Sequence, residues 1–149
     1  MTSSRIAMFL VGAIVLGPSQ AQVGNNTALR NPNLATAAEL EALPGLDASL
    51  AQAIVDARPI ADTLALAAVL GTLTDEQRGT LLGRLFLPLN LNSASRDEIM
   101  LIPGMSARMA HEFEEYRPYT SLEQFRREIG KYVDANEVAR LERYVTIAD

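Results

Sequence analysis

Slid against itself by 59 positions, the chain matches itself. Asn33 falls on Asn92, Ala35 on Ala94, Glu39 on Glu98, Pro44-Gly45 on Pro103-Gly104 and Ala51 on Ala110. The offset reads on without a gap through Arg58-Pro59 and Arg117-Pro118, Gly71 and Gly130, Asp75 and Asp134, Leu82 and Leu141, and Arg84 and Arg143. A period of this length means a duplicated supersecondary unit, because one copy alone cannot bury its apolar face. It places units at 33–90 and 91–149, with residues 22–32 a polar leader expected to be flexible.

Each unit opens on a capping box, Thr36 with Glu39 and Ser95 with Glu98, in which hydroxyl and carboxylate satisfy free backbone donors of a first helical turn. The helix so started is short, since Pro44-Gly45 and Pro103-Gly104 break it and impose a tight turn. A second helix follows, with Leu46, Leu50 and Ile54, or Met105, Met109, Phe113 and Tyr116, at helical spacing. It ends before Pro59 or Pro118. A shorter helix spans Asp62 to Leu70, or Ser121 to Ile129. Boxes at Thr74 with Gln77 and Asp134 with Glu137 start a last one, burying Leu81, Leu82 and Leu85, or Val138, Leu141 and Val145. No stretch alternates as a strand does, so the fold class is all-α, two tandem units of about four short helices each.

The N-terminus reads as an address. Arg5 precedes the apolar run Ile6 to Gly17, and Ser19-Gln20-Ala21 offers small residues for cleavage, so residues 1–21 are expected to be a signal peptide cut near Ala21. The run is too short for a membrane span, which needs about 20 apolar residues. The expected location is the bacterial periplasm or the exterior. Loss of Arg5 leaves 12 of the 13 basic residues against 18 acidic ones and moves the net charge from −5 to −6. A field of that sign repels polyanions on average.

The absence of cysteine excludes disulfides, thiolate metal sites and cysteine nucleophiles. His111 is the only histidine and has no partner at metal-ligand spacing. Glu112, Glu114 and Glu115 form a charge run of the kind that is usually solvated. With no phosphate loop, dinucleotide fingerprint or nucleophile elbow, no catalytic residue, metal site, cofactor or small-molecule substrate is expected.

Helix, Leu43-Pro44-Gly45-Leu46 turn, helix, and the same arrangement around Ile102-Pro103-Gly104-Met105, resemble the helix-hairpin-helix motif. Asn90 to Ser95, Glu98-Ile99, Tyr116-Arg117 and Tyr119 to Leu122 extend the resemblance to the ComEA family of exported competence DNA receptors, once per unit. The resemblance implies weak binding of the duplex DNA backbone without sequence readout. A turn with two glycines lets main-chain N–H groups at a helix start approach a phosphate. Where the family has its second glycine, this chain has Asp47 and Ser106, and both are good N-cap residues. Gly45, Leu46 and Asp47 are therefore read as a degenerate, structural hairpin, because Asp47 sets a like charge against phosphate. Gly104, Met105, Ser106, Arg108 and Lys131 are the DNA-backbone candidates. The chain also resembles PsbU, the extrinsic photosystem II subunit, which implies the alternative of a DNA-free protein-interaction subunit of an exported or membrane complex.

Overall fold

The computed structural model describes residues 22–25 and 27–148. Residues 1–21, on which the signal-peptide expectation falls, lie outside the described residues. The elements follow in the order β1 (Gln22–Val23), α1 (Ala37–Glu41), α2 (Ala48–Asp56), α3 (Thr63–Val69), α4 (Asp75–Leu82) and β2 (Leu89–Asn90). Then come α5 (Arg96–Met100), α6 (Ala107–Glu115), α7 (Leu122–Ile129), α8 (Ala135–Glu142) and β3 (Val145–Ile147). The fold is mainly helical. None of its described helices is long and apolar enough to cross a membrane.

Each helix starts where a side chain stops its first turn from fraying. Thr36, Asp47, Asp62, Thr74, Ser95, Ser106, Ser121 and Asp134 each accept from the backbone N–H three residues on. The boxes at Thr36, Ser95 and Thr74 are reciprocated. The one expected at Asp134 is not, because the Glu137 carboxylate is held instead by Arg140, at 2.7 Å from both Nε and Nη2. Helices of five to nine residues are unstable in isolation, so packing must hold them. Leu40, Ile54, Leu66, Leu70 and Leu85 of the first half are fully buried, as are Ile99, Phe113, Phe125, Ile129 and Val145 of the second. Each such side chain contributes about 1.5–3 kcal/mol.

The helices follow in the same order in the two halves, with one correction to the gapless register. α3 has seven residues and α7 has eight, so the offset is 59 where these helices start, at Thr63 and Leu122, and 60 from their C-caps, Leu70 and Gly130, onward. Thr74 therefore corresponds to Asp134 and Leu81 to Leu141, in place of Asp75 with Asp134 and Leu82 with Leu141. Gly71 and Gly130 are not equivalent: Gly130 is the C-cap of α7, the place Leu70 takes on α3.

Residues repeated between the halves hold corresponding loops. The Asn33 side chain donates to the Ile60 carbonyl and accepts from the Ile60 N–H, both at 2.8 Å. Asn92 does the same with Tyr119 at 2.9 and 2.7 Å. Arg58 donates to the carbonyls of Pro32 and Ala35, and Arg117 to those of Leu91 and Ala94. Both Arg-Pro bonds that follow are cis.

A small sheet, order β1-β3-β2, corrects the strand-free expectation. β2 runs parallel to β3 and β1 antiparallel to it. Strands of two or three residues are too short to write an alternation into the sequence. The parallel bridge Leu89 with Val145 repeats the bridge Arg30 with Leu85, so this pairing belongs to the duplicated unit. Parts of the leader pair with the rest of the chain: Gln22 and Val23 with β3, Gly24 donating to Val145 at 3.1 Å, and Arg30 donating to Arg84 at 2.7 Å. The halves share one core, and Phe86 packs edge-on against Tyr144 across the boundary, with centroids 4.8 Å apart.

Candidate nucleic-acid interface

The two Pro-Gly turns share a backbone. Gly45 and Gly104 have φ of 88° and 77°, the left-handed region that a side chain at Cβ disfavours. Leu46 donates to Leu43 at 3.1 Å and Met105 to Ile102 at 2.9 Å. The Met105 N–H is thus committed inside the turn and is not available to an anion. Asp47 then caps α2 through Leu50 at 2.8 Å, and Ser106 caps α6 through Met109 at 3.1 Å. Asp47 and Ser106 thus act as the N-caps that their side-chain type suggested, each taking up one donor of a helix start. At the second turn this leaves Gly104, Ser106, Ala107 and Arg108 with N–H groups lacking an intramolecular acceptor among the described residues.

What surrounds the turns differs sharply. The first faces Glu76, Gln77 and Thr80 and carries the exposed Asp47. The second faces the ion-paired Asp75 and Arg78 and has three further arginines close to it. Arg108 lies in the first turn of α6. Arg96, from the start of α5, donates to the Ala107 carbonyl at 3.0 Å. Arg140, from α8, donates to the Pro103 carbonyl at 2.6 Å, and a Cβ on Gly104 would meet its Nη2 at 3.4 Å. The first half has Ala37, Ser49 and Thr80 at these positions. Arg96 is paired with Glu114 and Arg140 with Glu137, which raises the Arg140 pKa and lowers that of Glu137. Arg108 has no carboxylate within ion-pair distance among the described residues. Its guanidinium stands 5.8 Å from the Tyr132 ring centre.

Of the candidates, Gly104, Met105, Ser106 and Arg108 are brought together, and Lys131 is not. Lys131 sits in the α7–α8 turn over the Tyr116 ring, 4.9 Å from its centre, at the C-terminal end of α6. That is about 12 Å along the helix from Arg108. It is ion-paired to Glu128, whose pKa Lys131 and then Arg127 lower. Arg126 is held by Glu142 through two bonds of 2.7 Å, so the row of basic residues on α7 is largely neutralised. Arg96 and Arg140 escape sequence reasoning, because they lie far along the chain from the turn they flank and the first half has small residues in their places.

His111 is exposed and lies 3.4 Å from Glu115. No cluster of His, Asp and Glu suited to a metal occurs among the described residues. Compared with protein-family models, with curated proteins and with solved structures, the chain matches none.

Proposed function

We propose that this chain is a non-catalytic, exported binding protein of two tandem helix-hairpin-helix units, ComEA-like in type, that holds the DNA backbone weakly and without reading sequence through its second turn. The observation that carries the reading is the difference in charge around two turns whose helix-start N–H groups are equally open: arginines gather at the second, while the first faces Glu76 and carries Asp47. Helix N-termini favour anions, and the arginines add affinity by counterion release. The periplasm or the exterior is the location that goes with this reading.

The test is retention of duplex DNA at two salt concentrations. Binding should fall steeply with salt, with a log-log slope near −0.9 per phosphate and about two to four phosphates engaged. Arg108→Ala should weaken it and flatten the slope by about one unit. Asp47→Gly should strengthen it, since a charge leaves the first turn while the cap loss costs only a few tenths of a kcal/mol. No retention at low salt, in the parent or in Asp47→Gly with Ser106→Gly, would rule the reading out. A second reading, a DNA-free subunit docking on an exported protein, is favoured by Leu34, which is 80% exposed. It expects pull-down of a periplasmic partner that Leu34→Ser abolishes.

A further inference from the structure

The second half carries a side-chain group that the first half replaces entirely with small residues. Arg108, Glu112 and Tyr116 follow at four-residue spacing along α6, and Lys131 and Tyr132 come from the turn before α8. The corresponding residues of the first half are Ser49, Ala53, Ala57, Gly71 and Thr72. The same helices form in both, so the fold does not require the larger set.

The Tyr116 and Tyr132 hydroxyls are hydrogen-bonded at 2.8 Å, with ring centroids 6.4 Å apart and planes inclined by 47°. Arg108 covers one ring and Lys131 the other. Both cations are exposed, and Tyr132 is 37% exposed. Glu112 is only 7% exposed, and its Oε2 makes no hydrogen bond. A buried carboxylate oxygen without a partner works against stability, whereas Ala53 fills the equivalent place without that cost.

A ring face covered by an exposed, flexible cation is one that another flat group can take over, and the displaced cation stays near to meet a phosphate. An exposed cation–aromatic contact is worth about two- to fivefold in an equilibrium. Stacking of a nucleobase on an aromatic side chain is worth about fivefold to a hundredfold. The exchange favours the base. Duplex DNA keeps its base faces stacked inside, while a single strand presents them. We propose that Tyr116 and Tyr132, with Arg108 and Lys131, form a binding strip for single-stranded DNA that continues from the second turn, bases stacking on the tyrosines and the cations meeting phosphates. The strip rests on the reading of that turn, with which it shares Arg108. Lys131 is also claimed by Glu128, so Arg108 carries more of the phosphate contact.

The test uses the full chain with one labelled oligonucleotide, single-stranded and as a duplex, at two salt concentrations. The substitutions Tyr116→Ala and Tyr132→Thr install residues that the first half already accommodates, and circular dichroism checks that helix content is kept. The single strand should bind about tenfold more tightly than the duplex. Either substitution should remove that advantage with an unchanged salt slope, and Tyr132→Phe should keep most of it. Tyrosine fluorescence, unobscured because the chain has no tryptophan, should be quenched by the single strand. Equal binding of the two forms, or single-strand binding indifferent to both substitutions, would overturn the strip; the turn reading survives if Arg108→Ala still weakens duplex binding. Absence of binding to either form at low salt would overturn both.

Discussion

Asn92 shows how a repeated polar residue can serve architecture alone. Its amide grips both backbone groups of Tyr119, as Asn33 grips Ile60. Asn92→Ala should leave two part-buried backbone groups unsatisfied and cost about 1–3 kcal/mol. Chemical denaturation measures this, and a loss below a few tenths would show that the loop is held by other means. The self-alignment marked Asn33 and Asn92, and Arg58 and Arg117, as fixed in both copies, yet a sequence does not say whether a repeated side chain faces a ligand or its own backbone. The caps were legible because capping is local, a side chain and an N–H three residues on. Arg140 was not legible: it reaches Pro103 across 37 residues of chain, and its counterpart is Thr80.

At the scale of elements, helical periodicity and Pro-Gly punctuation placed all eight described helices to within a few residues. The extra residue in α7 was missed because Gly71 and Gly130 align by identity while their backbones do different jobs. β1 was missed because its partner lies at the other end of the chain. Its anchorage turns on Gly24, where a Cβ would stand 1.8 Å from the Glu142 carbonyl oxygen. Contact with a backbone atom at that distance cannot be relieved by a rotamer change, so Gly24→Ala should detach β1 and leave the helices intact. Amide hydrogen exchange should show the amide at position 24, bonded to Val145 in the parent, losing protection while Leu66 and Phe125 keep theirs. Unchanged protection there would mean that the leader is held by more than this contact.

The whole molecule is two copies of a unit that share a core. A repeat in the sequence shows where a unit recurs but not how much surface two copies bury together. The Phe86–Tyr144 contact and the β2–β3 pairing tie the end of the first half to the end of the second. Loss of either half exposes apolar surface on the other, so thermal unfolding should be a single transition with equal calorimetric and van't Hoff enthalpies. Two separated transitions would show that the shared core is weaker than the units it joins.

The sheet also sets an order of assembly. Gln22 meets Ile147 and Leu89 meets Val145, separations that make loop closure costly, whereas α1 and α2, or α5 and α6, find each other across a few residues. The helix pairs can therefore close while the chain is still short, and the three strands join only after the last of them has arrived. Until then Gln22 and Val23 have no strand to pair with. Once Val145 to Ile147 are in place, one strand holds segments from the beginning, the middle and the end of the described chain together, like a clasp closed last.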